Sequence, residues 1–232
     1  MKRERGIVIA VDGPSGAGKS TISRALSKRL GYLEIDTGAM YRAMAWLAKE
    51  VGLDCEDPLA VQKFSMSAEV ELQLDNGTTR VLANGQEVTQ QIRTPEISML
   101  TSRISALAPV REAMMTLQRR MGAKGGVILD GRDIGTVVFP DAELKFFLSA
   151  SAEERGRRRF LELQSKGIMA ELEETIQNVV LRDKQDSERE LAPLRQADDA
   201  IAIDSTGLTI DQVIALMEKS YRDIVAGKGK QL

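Results

Sequence analysis

Histidine is absent from all 232 residues, and that absence closes several chemistries at once. Without imidazole there is no Ser-His-Asp or Cys-His activation of a nucleophile, no His-ligated zinc and no imidazole general acid or base. The single cysteine, Cys55, excludes an internal disulfide and fits a reducing compartment, with its thiol read as buried or incidental. No apolar run is long enough to span a bilayer, and the Lys2-Arg3-Glu4-Arg5 start lacks the apolar segment of a signal peptide, so a cytoplasmic location is expected. An excess of one charge is missing too. With 32 Lys and Arg against 34 Asp and Glu, the net charge of −2 offers no global basic field for nucleic acid or membrane, and any basic site must be local.

What remains open is chemistry that runs on position and charge, and phosphoryl transfer is of that kind. A chain of 232 residues can carry one good-sized domain with an insertion and can bury a real core. Its most informative stretch is Gly13-Pro14-Ser15-Gly16-Ala17-Gly18-Lys19-Ser20-Thr21. The spacing fits G-x-x-x-x-G-K-[ST], between the β-branched run Ile7-Val8-Ile9-Ala10-Val11 and the amphipathic segment Thr21 to Leu30. That strand-loop-helix context marks a phosphate-binding P-loop. Its glycines let successive backbone N–H groups point inward, and the helix behind adds its positive end. Lys19 is then expected to neutralise charge on the β- and γ-phosphates, and Ser20 to ligate Mg²⁺.

Strand-like apolar runs recur at Gly6 to Asp12, Tyr32 to Asp36, Gly126 to Asp130, Glu143 to Ser149 and Ala200 to Asp204, separated by stretches of helical period. Such alternation predicts a parallel sheet covered by helices, with ligands at the carboxyl ends of the strands, where Asp12, Asp36, Asp130 and Ser149 stand. Between Ala68 and Gln90 the pattern shortens around Asn76-Gly77 and Asn84-Gly85, two hairpin signals that predict a small three-stranded antiparallel insertion. Thr209 and Gln212 have capping-box spacing and open an amphipathic helix whose Ile210, Val213, Ile214, Met217 and Tyr221 are expected in the core.

A P-loop alone does not separate a GTPase switch, a mechanical ATPase and a small-molecule kinase. No guanine-reading Asn-Lys-x-Asp stretch occurs, Arg182-Asp183-Lys184-Gln185-Asp186 being a poor imitation, and no strand ends in paired Asp-Glu. The strand at Val127 instead runs into Asp130-Gly131-Arg132-Asp133. There Asp130 can hold a Mg²⁺-bound water and Arg132 can clamp phosphate with its planar fork. Asp36 to Arg42 offers a second strand end, and Arg111 after Pro109 a third cation. Over a helix expected from Met169 to about Glu190, Arg182, Asp186 and Arg189 fall at i, i+4 and i+7 and share one face, either to meet one ligand or as a solvated charged stripe. Arg155-Gly156-Arg157-Arg158-Arg159 is a further basic cluster, either a lid over ATP or a wet basic helix.

Taken in order, Gly-Pro-Ser-Gly-Ala-Gly-Lys-Ser-Thr, Asp-Thr-Gly-Ala-Met-Tyr-Arg, Asp-Gly-Arg-Asp-Ile-Gly-Thr-Val-Val-Phe-Pro-Asp and Arg-Asp-x-x-Asp-Ser-x-Arg resemble the bacterial cytidylate kinase family over nearly the whole chain. The resemblance implies an α/β fold: a three-layer P-loop kinase with a five-stranded parallel sheet, an antiparallel β insertion and a helical lid. It implies one kinase domain over residues 1–232, with an acceptor-binding region at 37–108, its β insertion at 68–90, and a lid at 152–168. It implies ATP as donor on residues 13–21, that is Gly13, Pro14, Ser15, Gly16, Ala17, Gly18, Lys19, Ser20 and Thr21, with Arg155 and Arg158 reaching it from the lid. CMP or dCMP would be the acceptor. Ser15, Arg42 and Arg132 would contact the acceptor phosphate; Ser102, Arg111 and Asp133 would face the cytosine; Arg182 and Asp186 would hold the ribose. Arg189 would lie near the phosphates, with Asp36, Tyr41 and Asp130 beside the acceptor. Lys19, Arg132 and Arg158 would be catalytic, and Mg²⁺ would sit on Ser20 with Asp130 reached through water. The resemblance also implies a monomer acting on small molecules, without nucleic acid or membrane.

Overall fold

The computed structural model describes residues 3–75 and 78–227. In chain order it runs β1 (Val8–Asp12), α1 (Lys19–Leu30), β2 (Leu33–Asp36), α2 (Thr37–Glu50), α3 (Pro58–Ser67), β3 (Val70–Asp75), β4 (Thr78–Ala83) and β5 (Gln86–Glu87). It continues with α4 (Pro95–Ile104), α5 (Ala108–Gly122), β6 (Val127–Gly131), β7 (Leu144–Ser149), α6 (Ala152–Ser165), α7 (Leu172–Glu188), β8 (Ile201–Asp204) and α8 (Ile210–Val225). A π turn over Ile134–Val138 follows β6. The chain divides into two compact units, one of Met1–Glu34 with Gly122–Leu232 and one of Ile35–Met121.

The first unit is built on the parallel sheet, of strand order β2-β6-β1-β7-β8. The alternation of strand-like and helical runs therefore read correctly. β1 sits at its centre with every position buried, pairing in register with β6 (Val8 opposite Val127) and with β7 (Ile9 opposite Leu144). A strand buried on both faces cannot alternate polar with apolar, which is why Val8-Ile9-Ala10-Val11 reads as one apolar run. Helices α1 and α8 close the core: Ile22 and Leu26 of α1 and Val213, Ile214 and Met217 of α8 pack with Ile9, Ile128 and Phe146. The capping box of α8 is present, with Thr209 accepting from the Gln212 N–H and the Gln212 side chain returning to the Thr209 N–H. Two expectations need correction. Ile210 is 49% exposed, because as the first helical residue it lies beyond the end of the buried stripe. Helix α7 begins at Leu172, after a turn at Gly167 (φ +70°), and Met169 projects into solvent.

The second unit is built around α2. Asp36 caps it by accepting from the Ala39 N–H at 2.7 Å, and Met40, Ala43, Met44 and Leu47 form its buried face. That face meets α4 and the small antiparallel sheet, of order β3-β4-β5. Asn84 (φ +47°) and Gly85 (φ +78°) both adopt left-handed backbone, the signature of the two-residue hairpin turn expected there. The Asn76-Gly77 turn lies outside the described residues, though β3 and β4 on either side of it pair antiparallel.

Candidate active site

The donor loop is positioned by β1. At Gly13 (φ +146°) a Cβ would lie 1.9 Å from the Leu148 carbonyl oxygen, so only glycine lets the chain leave the sheet here. Gly18 caps α1 in left-handed backbone with no side-chain hydrogen bond, which leaves the first-turn N–H groups of α1 directed at whatever binds the loop. Lys19, 7% exposed, donates to the Pro14 carbonyl at 2.7 Å. Burial depresses its pKa well below the usual lysine value. Arg132 and Arg182 push the same way, against the opposing pull of Asp130 and Asp12. Cations converging on a buried ammonium make a site that an anion relieves. Ser20 Oγ donates to Asp130 Oδ2 at 2.6 Å, joining the first turn of α1 to the end of β6.

The basic cluster on α6 divides into two roles. Arg155 is buried, and its guanidinium donates to the Ala150 carbonyl (2.8 Å) and the Ser15 carbonyl (3.0 Å) and pairs with Asp183 at 2.6 Å. It braces the P-loop from behind and ties it to α7. Arg158 is about one third exposed; it pairs with Glu154 and donates to the hydroxyl and carbonyl of Ser205, with a guanidinium nitrogen 4.0 Å from where a Cβ on Gly18 would stand.

Of the predicted face, Arg182 and Asp186 lie on α7 and are turned away from bulk solvent, while Arg189 follows Glu188 as the C-cap, in extended backbone. Asp186 is 4% exposed and accepts from Arg132 Nε at 2.8 Å, while Arg182 reaches the Ser15 hydroxyl at 3.4 Å. Burial pushes the Asp186 carboxyl up, but the guanidinium groups of Arg132 and Arg182, the Arg132 hydrogen bond and Arg189 outweigh it and hold the acid below its ordinary value. Arg189 pairs with Asp133 at 3.5 Å, both side chains nearly buried, and also donates to the Ala192 carbonyl. One unit thus holds Ser15, Lys19, Ser20, Asp130, Arg132, Asp133, Arg155, Arg158, Arg182, Asp186 and Arg189.

The other expected residues lie on the second unit. Arg42 pairs with Asp36 at 3.2 Å, six residues earlier across the cap of α2. Arg111 is buried, donates to the Ser105 carbonyl at 3.1 Å and lies 5.8 Å from the centroid of the Tyr41 ring. Ser102 Oγ and Arg42 Nε are buried without a hydrogen-bond partner among the described residues. Buried polar atoms are almost always paired, so these two are open to a partner from outside the chain.

Residues 9–223 match the sequence pattern of the family described as Cytidylate kinase. The chain belongs to that family. It is 59% identical over 224 residues to the cytidylate kinase of Citrifermentans bemidjiense, covering 97% of this chain and 96% of that one. It is also 57% identical to the cytidylate kinase of Geobacter sulfurreducens, covering 94% of each. With the Lactobacillus johnsonii cytidylate kinase the identity is 47%, over 89% of this chain and 90% of that one. The chain is accordingly a nucleoside monophosphate kinase.

For a cytidylate kinase family member the metal question is one of donor chemistry. Among the described residues no group of three or more Asp, Glu or Cys side chains is placed to hold a metal by itself. Magnesium does not ask for one, since it keeps several waters and binds through one or two protein oxygens plus substrate phosphates. The Ser20 hydroxyl and Asp130 carboxylate fit that role. Asp183 and Ser205, partners of the two α6 arginines, escaped the sequence reading. Asp183 is the second residue of the Arg-Asp-x-x-Asp-Ser-x-Arg motif but lies off the i, i+4, i+7 face, and its link to Arg155 spans 28 residues, so the motif shows the residue without its partner.

Proposed function

We propose that the chain transfers the γ-phosphoryl group of Mg·ATP to CMP, and to dCMP, giving CDP or dCDP and ADP. One observation carries the reading most: Arg182 of α7 reaches the hydroxyl of Ser15 in the same loop that holds Lys19, at 3.4 Å. Donor-side and acceptor-side cations therefore share one electrostatic site, as two mutually repelling polyanions brought end to end require.

The acceptor needs no protein base. A phosphate monoester has a second pKa near about 6, so at neutral pH the CMP phosphate is already nucleophilic, consistent with a chain that has no histidine. An oxygen of that phosphate attacks the γ-phosphorus in line, and ADP leaves. Lys19, Arg132 and Arg158 spread the charge on the equatorial oxygens. Arg155 acts on ATP through the Ser15 carbonyl it holds. Bound at Ser20 and, through water, at Asp130, Mg²⁺ would supply charge neutralisation on the donor phosphates. Arg42, Arg132 and Ser15 take the acceptor phosphate, Arg182 and Asp186 the ribose, and Ser102, Arg111 and Asp133 the base, with Asp36, Tyr41 and Arg189 beside them. Cytosine presents an N4 amino donor where uracil presents a carbonyl, so a carboxylate at Asp133 favours the former by roughly 1–3 kcal/mol. Residues 37–108 are assigned to the acceptor region and 152–168 to a lid whose closure excludes water. The protein is assigned as a monomer on the same family resemblance, and as cytoplasmic because its single cysteine fits a reducing compartment.

A panel of monophosphates with Mg·ATP tests this. CDP and ADP should form in equal amounts from CMP, with UMP turned over far more slowly. Equal rates on UMP would remove Asp133 from base selection, and release of inorganic phosphate unaffected by any monophosphate would make the protein a nucleotide hydrolase.

A further inference from the structure

Asp12 is the last residue of β1, immediately before the P-loop, and it is 4% exposed. No role falls to it in the transfer just described. Its carboxylate nevertheless makes two unusually definite contacts: Oδ1 accepts the Ile134 N–H at 2.8 Å and Oδ2 accepts the Gly135 N–H at 2.7 Å. These are the two N–H groups that open the π turn directly after Arg132 and Asp133. Farther along, the turn is held from the other side: the Val137 and Val138 N–H groups return to the Asp133 carbonyl at 2.9 and 3.1 Å, and the Phe139 N–H to the Ile134 carbonyl at 2.7 Å. The opening N–H groups of any helical turn lack a partner within it. Here one carboxylate, reaching across 122 residues of chain, supplies both. Gly135 is pressed between that carboxylate and the Lys145 stem: a Cβ would stand 3.3 Å from Asp12 Oδ2 and 3.0 Å from Lys145 Cδ. Lys145 is itself tethered to the Pro140 carbonyl and to Asp199.

We propose that Asp12 is a positioning residue for the acceptor: it clamps the backbone after Asp133 to the strand that launches the P-loop and so fixes where Arg132 and Asp133 point. Two features favour a carboxylate in this role over a merely space-filling side chain. It has two acceptor oxygens for two converging donors, and asparagine would set its own N–H₂ against one of them. Charge-assisted bonds to backbone N–H groups are also about twice as strong as neutral ones. A carboxylate this deep is a poor choice for stability alone, because burial, only partly offset by the Gly135 and Ile134 N–H groups, pushes it up to about 6.

The inference rests on the assignment of Arg132 and Asp133 to CMP, and the experiment separates the two. In the full chain, Asp12→Asn is compared with wild type for KM and kcat on CMP and UMP, KM for ATP and Tm. Wild-type enzyme inactive on CMP would end the functional reading itself. With wild type active, the clamp predicts that Asp12→Asn raises KM for CMP and lowers the CMP-to-UMP ratio of kcat/KM by at least about fivefold, the low end of what one well-placed polar contact contributes to base discrimination. KM for ATP should change less than KM for CMP, the Asp12 charge acting on the P-loop only through Lys19. An unchanged ratio with a lower kcat on both acceptors, or a rise in KM for ATP alone, overturns the proposal and leaves Asp12 a part of the P-loop or of the core. Asp133→Asn and the double variant complete the cycle. If Asp12 acts through Asp133, the two losses of selectivity are strongly non-additive; if they multiply, the clamp is refuted.

Discussion

Replacing Asp186 by Ala probes the most consequential contact in the acceptor half. The carboxylate is 4% exposed and bonds Arg132 Nε at 2.8 Å, with Arg182 and Arg189 close enough to hold its pKa down. Removing it takes the ion-pair partner from Arg132 and a negative charge from beside Arg182 and Arg189. Loss of one partner from a buried pair costs about 3–5 kcal/mol, and because the Arg132 side chain is 17% exposed a discounted figure of about 2–3 kcal/mol is appropriate. In a chain of this size about 1 kcal/mol moves Tm by roughly 2–4 °C, so the nucleotide-free variant should melt about 4–12 °C lower. The same carboxylate is assigned to the ribose, and a lost hydrogen bond to a charged group, about 1.5–3 kcal/mol, should raise KM for CMP roughly 10- to 150-fold while KM for ATP stays near wild type. Thermal melts without nucleotide and initial rates with each substrate varied are the measurements. An unaltered Tm together with an unaltered KM for CMP would return the Arg182–Asp186–Arg189 face to an ordinary charged stripe, and a rise confined to ATP would place it on the donor side.

Lys19→Ala and Arg132→Ala should each cut kcat by about a hundredfold or more with the far-UV circular dichroism unchanged, the scale on which preorganised charge-stabilising groups act; a variant within threefold of wild type has no part in the transfer. Asp12 carries a pH signature of opposite sign to Asp186. Its pKa is raised from 3.8 to about 6, so the folded state binds the extra proton and stability falls as pH rises from about 4 to about 6, by on the order of 3 kcal/mol. The difference in Tm between Asp12→Asn and wild type should therefore grow in the variant's favour over that window, and a pH-independent difference would contradict the buried charge. For Asp186, held below its ordinary 3.8, the stabilisation is full above that value and is lost only as pH falls through the depressed one.

Local signals were the legible ones. A P-loop is written in consecutive residues because its function is a run of backbone N–H groups, and Asn84-Gly85 marks a hairpin because both residues tolerate left-handed backbone. Strand runs of the parallel sheet stood out since strands buried on both faces must be apolar throughout. Helix faces were half legible. The spacing of Arg182, Asp186 and Arg189 places them together, yet whether that face is wet or buried depends on Arg132, 50 residues upstream of Arg182, arriving opposite it. Ile210 fits the stripe of α8 and still lies in solvent, because periodicity states direction around a helix and not how far along it the core extends.

By itself, then, the amino-acid sequence determined the chemistry that was possible: no imidazole, one cysteine, a phosphate loop, and a set of motifs whose order belongs to one family. Tertiary structure decided which charges meet. Arg155 proved to be a brace between the Ser15 carbonyl and Asp183, and Asp12 a clamp on Ile134 and Gly135. The reason is physical. Propensity and periodicity act over a few residues, whereas a buried charge is tolerable only beside a partner or donor that the fold brings from far along the chain.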